Sequence, residues 1–151
     1  MDLVKIIQSY DIGDSRNVHV DVDEDNDVTI SVHQDVENDG GKRKDILFTA
    51  RLWVRFVQSI SIIDNAVQRA IAHEPTTFQL HIGGQWYIGV SDRFQHVDIR
   101  RWFYACSAGY DVNNLRPISH GIALTFKEWE NLKNVVEQMN GVGRDEYVID
   151  L

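Results

Sequence analysis

Cations and aromatic rings are interleaved along one stretch of this 151-residue chain, Val97-Asp98-Ile99-Arg100-Arg101-Trp102-Phe103-Tyr104. Trp86, Tyr87, Arg93 and Phe94 lie just upstream, Arg116 follows, and Lys42-Arg43-Lys44 stands apart in the first half. These side chains suit single-stranded nucleic acid. Cations track the phosphates while bases stack on exposed rings, at about 1–3 kcal/mol per stacked base. The same alternation also arises when a half-buried strand turns every second side chain inward, so residue types alone leave both readings open.

Other chemistry finds no matching pattern. There is no G-x-S-x-G, no H-E-x-x-H and no P-loop, and no acid, base and nucleophile converge in the sequence, so no enzyme is expected. His19, His33, His73, His81, His96 and His120 are scattered and read as surface or strand histidines rather than metal ligands. The lone Cys106 excludes an intrachain disulfide and a multi-cysteine zinc site, and reads as a buried or loop thiol. Asp21-x-Asp23-x-Asp25-x-Asp27 has the opening of a calcium loop. Asn26, however, stands where that loop needs glycine and Val32 where it needs glutamate, so a solvated acidic turn is expected. Gly40-Gly41 and Gly83-Gly84 read as hairpin turns, because no helix follows either to cradle a phosphate. Neither a metal nor a cofactor is expected.

The charge balance works against indiscriminate polyanion binding: 15 Lys and Arg against 23 Asp and Glu, a net −8. The excess is uneven, with a net −6 over residues 1–75 and −2 over 76–151. A hydrophobic fraction of 43%, with 10% aromatics, describes an ordinary globular chain. Its length allows one domain of about 150 residues or two of about 75. No apolar run approaches the roughly 20 residues that span a bilayer, and Met1-Asp2-Leu3-Val4-Lys5 lacks a secretory pattern. An intracellular protein of nucleus or cytoplasm, without a membrane partner, is therefore expected.

Two helices and eight strands must position the chemistry. The first helix starts after the N-cap Thr49, and its apolar stripe runs Leu52, Trp53, Phe56, Val57, Ile60, Ile63, Val67, Ala70. Arg51, Arg55, Gln58, Asn65 and Arg69 fall mostly on its other face, and Pro75 marks the end. The second helix opens on the capping box Thr125-Phe126-Lys127-Glu128 and carries Trp129, Leu132, Val135, Val136 and Met139 inward, with Asn140-Gly141 as a stop. Alternation predicts strands over Leu3–Ile7, Val18–Val22, Val28–Val32 and Lys44–Phe48, then Phe78–Ile82, Trp86–Val90, Val97–Phe103 and Gly121–Leu124. Four strands and a helix thus occur twice. A shift of 76 residues lays Ile46 on Ile122, Thr49 on Thr125, Trp53 on Trp129, Phe56 on Leu132, Ile60 on Val136 and Ile63 on Met139. A unit this long fits a duplicated small domain rather than a solenoid.

Residues 78–140 resemble the C-terminal domain of the positive cofactor four family, small transcriptional coactivators that bind single-stranded DNA. The motifs are Phe78-Gln79-Leu80, Tyr87-Ile88-Gly89-Val90, Val97-Asp98-Ile99-Arg100-Arg101-Trp102-Phe103, Leu115-Arg116-Pro117-Ile118-Ser119-His120-Gly121-Ile122-Ala123-Leu124 and Glu128-Trp129-Glu130-Asn131-Leu132-Lys133. Residues 42–67 are similar more faintly, through Lys42-Arg43-Lys44-Asp45-Ile46-Leu47, Trp53 and the segment from Ile60 to Val67. The resemblance implies an α+β fold of two ββββα units, 1–75 and 76–151, the second ending in a short acidic tail. Each unit would be a curved antiparallel four-stranded sheet plus one helix, packed with the other as an intramolecular pseudo-dimer.

By position, Arg100 matches the family's strand arginine, Phe103 its stacking tryptophan and Phe94 a ring in the preceding hairpin. Lys42, Arg43 and Lys44 match a basic pair, and Arg93, Arg101 and Arg116 are the neighbouring cations. In the second half that basic pair is Ser119-His120, and Gln95-His96 replaces the lysines expected after Phe94. The implied function is non-catalytic binding of single-stranded DNA, with RNA left open, in transcription or replication. Proteins of the transcription machinery and a second copy of the chain are the implied protein partners. The alternative is a protein-interaction module that kept the fold without nucleic acid, docking a basic partner through Asp21–Asp27 or the tail Arg144–Leu151.

Overall fold

Alternating apolar residues close into two separate ladders. The computed structural model describes residues 5–13, 16–22, 24–25, 27–34, 45–105 and 114–142. Its elements are β1 (Lys5–Gly13), β2 (Arg16–Val22), β3 (Val28–Gln34), β4 (Asp45–Thr49), α1 (Ala50–Ile71), β5 (Thr77–Gly83), β6 (Trp86–Ser91), β7 (His96–Tyr104), β8 (Leu115–Thr125) and α2 (Phe126–Val142). Strands β1 to β4 form one antiparallel sheet and β5 to β8 another, each in sequence order. The α+β class and the strand-and-helix count per half agree with the expectation. Lys42, Arg43, Lys44, Cys106, Gly40-Gly41 and the tail from Arg144 lie outside the described residues.

The two ladders use equivalent pairs. In the first sheet Val18 faces Val32, Val20 faces Ile30, Val32 faces Ile46 and Ile30 faces Phe48. In the second Ile88 faces Ile99, Val90 faces Val97, Ile99 faces Ile122 and Val97 faces Leu124. All twelve of these side chains are buried, because a period of two sends them to one face. Most strands run one or two residues past their expected bounds, and two of them, β1 and β8, run much further. β1 continues to Gly13, where Ile12 joins the core and Tyr10 packs against it, and β8 begins at Leu115 rather than Gly121. Pro117 disguised the start of β8; an edge strand tolerates it because no ladder donor is needed on that side. Between the pairs Trp102–Pro117 and Arg100–Gly121, four residue steps on β8 oppose two on β7, which makes a bulge.

Both caps form as their sequences require. The Thr49 hydroxyl accepts from the Leu52 amide at 3.3 Å. At α2 the Glu128 amide donates to Thr125 Oγ1 at 3.1 Å and the Thr125 amide donates to Glu128 Oε1 at 2.8 Å, the reciprocal pattern that satisfies two orphan donors. α2 passes through Asn140-Gly141 and ends at Val142, later than the expected stop.

Each helix also meets the other half. α1 packs on β5 and β6, and α2 packs on β1. Arg55 on α1 reaches the Ile82 carbonyl (3.5 Å), and Asn131, 76 positions later on α2, donates to the Ile12 carbonyl (2.9 Å). The receiving sites are equivalent too. Gly13 closes the β1–β2 hairpin opposite Arg16, Gly83 closes β5–β6 opposite Trp86, and both glycines have positive φ, 105° and 146°. The cores join around a ring cluster: Phe48, Trp53 and Phe56 have centroids 5.2–5.4 Å apart, and Trp129 stands edge-on to Phe56 at 6.1 Å.

Asp64 on α1 ties the helices, accepting from Trp129 Nε1 at 3.0 Å and Lys133 Nζ at 2.8 Å. Burial pushes its carboxyl up, but the hydrogen bonds from Lys133 and Trp129 and the Lys133 charge outweigh that and hold it below its ordinary value of 3.8. A lowered carboxylate contributes stability that is fully present above its unfolded value and is lost as pH falls through the folded one. Asp64→Asn is therefore expected to lower Tm relative to wild type at neutral pH, with the gap closing below about pH 4. The tie is partly solvent-exposed, so the neutral-pH difference is about 1 kcal/mol or less. Thermal melts of both proteins across that range measure it; a gap that stays constant down to the acid limit contradicts the assignment.

Candidate nucleic-acid interface

The face of the second sheet turned away from the helices carries rings in register. Hydrogen-bonded pairing puts His81 opposite Tyr87, Tyr87 opposite Arg100 and Arg100 opposite Gly121, a row running across all four strands. On β7 the period of two adds Trp102 and Tyr104 to the Arg100 side. The rings touch: His81 stacks on Tyr87 at 4.5 Å and 16°, and Tyr87 lies 6.2 Å from Trp102. Burial first, and the hydrogen bond and charge of Tyr104 second, push the Tyr87 phenol above its ordinary value of 10.0, so it stays neutral at physiological pH. His81 Nε2 lies 2.6 Å from the Gly84 carbonyl, which places a proton on that nitrogen.

Arg100 belongs to this row but is already engaged. Its Nε and Nη2 donate to the Asp98 carboxylate at 2.9–3.2 Å, and its Nη1 donates to the Ile118 and Ser119 carbonyls at 3.2 and 3.1 Å. The guanidinium is a brace across the β8 bulge, 23% exposed, with its charge offset by Asp98. Gly121 makes the brace fit. A Cβ there would stand 2.6 Å from the Ile99 carbonyl oxygen and 2.8 Å from Arg100 Cα, so only hydrogen lets β8 pass so close.

The other residues expected at the site are spread out. Phe103, 40% exposed, lies on the opposite face from Arg100, on the side that carries Val97 and Ile99 and beyond their buried positions. Arg100 and Phe103, the strand arginine and stacking ring that the resemblance implies, therefore do not share a face, because an offset of three positions on a strand with a period of two puts them on opposite sides. Phe103 instead sits opposite the exposed Arg116. Arg101 shares the Phe103 side, where it donates to Gln85 Oε1 and lies 3.4 Å from His120 Nδ1. His120 in turn is 3.3 Å from Asp45 of the first sheet and edge-on to Trp86, so Arg101 belongs to the seam between β8 and β4. Arg93 and Phe94 are exposed on the β6–β7 turn, Phe94 at 71%. From His96 to Phe103 the strand runs about 23 Å, so Phe94 and Phe103 mark opposite ends of the sheet. The residues that do converge, Tyr87, Trp102, Tyr104 and His81, were signalled by the hairpin around Gly83-Gly84 together with the parity of β7.

The equivalent row of the first sheet has different chemistry. Asp11 faces Asn17, Asn17 faces His33 and His33 faces Asp45. His19 adds a second imidazole, 4.2 Å from His33 and perpendicular to it. The acidic run crosses the β2–β3 turn with Glu24 and Asp25 exposed. No group of three or more potential metal ligands converges among the described residues. Compared with known proteins, the chain matches no family model, no curated protein and no solved structure.

Proposed function

We propose that this chain is a non-catalytic protein that binds single-stranded nucleic acid by stacking bases on the outer face of its second sheet. The observation that carries the reading is the contrast between equivalent rows: His81, Tyr87, Arg100 and Gly121 in the second sheet against Asp11, Asn17, His33 and Asp45 in the first. Neighbouring Trp102 and Tyr104 widen the platform, and flat rings accept any base, so binding is largely indifferent to sequence. Carboxylates and amides on the first sheet repel or ignore the same ligand, which makes that half a scaffold. The reading includes the resemblance to the positive cofactor four family and its setting in transcription or replication, with DNA as the primary ligand. It also treats residues 1–75 and 76–151 as two copies of one unit, packed as an intramolecular pseudo-dimer. The reciprocal reach of Arg55 to Ile82 and Asn131 to Ile12 supports that packing.

Fluorescence anisotropy with labelled oligo-dT at low salt tests the function. Saturable binding is expected, weakened about tenfold by Trp102→Ala, the value of one stacked base, and changed by less than about twofold by Phe103→Ala on the opposite face. Arg100→Ala is expected to act through fold stability, because Asp98 already offsets the charge. No saturable signal at low salt would reject the reading. It would favour a protein-interaction module, to which the Asp98–Arg100 pair and the net −8 also point.

A further inference from the structure

The platform described above is rich in rings and poor in available positive charge. Its one arginine is held by Asp98, and Arg101 is engaged at the seam. A polyanion lying on the platform needs cations from somewhere else, because phosphate affinity comes from counterions released opposite Lys and Arg. α1 supplies them. Arg51, Arg55, Gln58, Ile62, Asn65 and Arg69 follow one another at helical spacing, and every one is exposed. The stripe is about 27 Å long and contains no carboxylate. Asp64, the only acid on α1, is tied to Trp129 and Lys133 on α2. The Arg51 and Arg69 side chains make no hydrogen bond or ion pair with a described residue.

Geometry joins the stripe to the rings. Arg55 reaches the Ile82 carbonyl, and it and Leu52 flank Gly83 at the tip of the β5–β6 hairpin. On the same hairpin the Gly84 carbonyl holds His81, which stacks on Tyr87. The corresponding positions on α2 are Lys127, Asn131, Asn134 and Gln138, with Glu130 and Glu137 exposed between them. The feature therefore belongs to α1 alone, on the helix that packs against the ring-bearing sheet.

We infer that the basic stripe of α1 is a phosphate track that extends the stacking platform, so that one strand passes from the rings of the second sheet over the β5–β6 hairpin onto Arg55, Arg51 and Arg69. The inference rests on the stacking reading and adds a ligand class to a second surface: the phosphodiester backbone of the same strand. It divides the labour between bases on the sheet and phosphates on the helix. Short oligonucleotides then bind through stacking with a shallow salt dependence, and longer ones engage the arginines and become steeply salt-dependent.

The test compares oligo-dT of about six nucleotides, within the roughly 4–16 that a single platform occupies, with oligo-dT of about 24. The proteins are wild type, the triple variant Arg51→Gln, Arg55→Gln, Arg69→Gln, and a double variant Arg51→Glu, Arg69→Glu that leaves the Arg55 contact in place. The expected result is unchanged affinity of the triple variant for the short oligomer. For the long one its log-affinity against log-salt slope becomes shallower by about 2, from three lost phosphate contacts at about 0.7 each. The double variant should weaken long-oligomer binding while its melting temperature stays near that of wild type. If the short oligomer binds and the long one keeps its slope in both variants, the track is wrong and the platform stands. If neither oligomer binds wild type, the platform is wrong and the track falls with it.

Discussion

Replacing Glu128 by alanine is expected to cost about 3–5 kcal/mol of stability. The carboxylate is 1% exposed and serves two structures at once. It accepts the Thr125 amide at the first turn of α2, and it accepts Arg16 Nη1 at 2.8 Å from the start of β2 in the other half. The same Arg16 nitrogen donates to the Ala123 carbonyl at 2.6 Å. Removing the carboxylate leaves a mostly buried guanidinium uncompensated and returns an orphan donor to the helix end, which is why the loss exceeds that of a surface pair. Against a total of roughly 5–15 kcal/mol this is a large share, and it corresponds to a Tm drop of roughly 10 °C for a chain this size. Urea unfolding followed by tryptophan fluorescence measures it. Glu128→Gln keeps an acceptor for the cap and should fall between. Arg16→Met with Glu128→Leu removes both charges and should recover much of the loss. A Glu128→Ala protein within about 1 kcal/mol of wild type would mean that this pair does not clamp the halves.

What could be read in advance follows the range of the interaction. Thr49 and Thr125 announced their helices because a cap acts over three residues. Trp53 and Trp129 with their stripes, and the alternation from Val18 to Phe48 and from Ile88 to Leu124, are likewise local. The start of β8 was missed because Pro117 looks like a strand breaker until the strand is known to lie at an edge. The docking of each hairpin onto the other half's helix was invisible because its two equivalent N–H donors, Arg55 and Asn131, are different residue types. At the site, the faces of Arg100 and Phe103 were decidable from parity alone, as was the engagement of Arg100 by Asp98 two residues away. The hairpin at Gly83-Gly84 sets His81 against Tyr87, but the alignment of Tyr87 with Arg100 was not decidable, because it depends on the register across the turn from Asp92 to Gln95, where Gln95 adopts φ +44°. The motifs pointed to β7, and the ring they matched, Phe103, lies on the face opposite Arg100.

Gly121→Ala is expected to destabilise the protein by about 2–4 kcal/mol, although it adds one methyl group at a half-polar sheet edge. The added Cβ would meet backbone, the Ile99 carbonyl oxygen at 2.6 Å and Arg100 Cα at 2.8 Å, and backbone cannot rotate away as a flexible side chain can. β8 must move off β7 at the point where its bulge presents the Ile118 and Ser119 carbonyls to Arg100 Nη1. Retreat of the strand therefore breaks those two hydrogen bonds and releases the guanidinium opposite Tyr87. Gly89→Ala on the same face is the control: its Cβ would find only the Phe78 carbonyl at 3.7 Å, an ordinary contact, so a change within about 1 kcal/mol is expected. Urea melts of the two variants measure the stability contrast, and amide hydrogen exchange along β7 and β8 locates it, with faster exchange near Ile99 and Arg100 only in Gly121→Ala. Equal stability of the two variants would show that the edge strand yields freely. The close passage of β8 at Gly121 would then not be what sets the brace at Arg100.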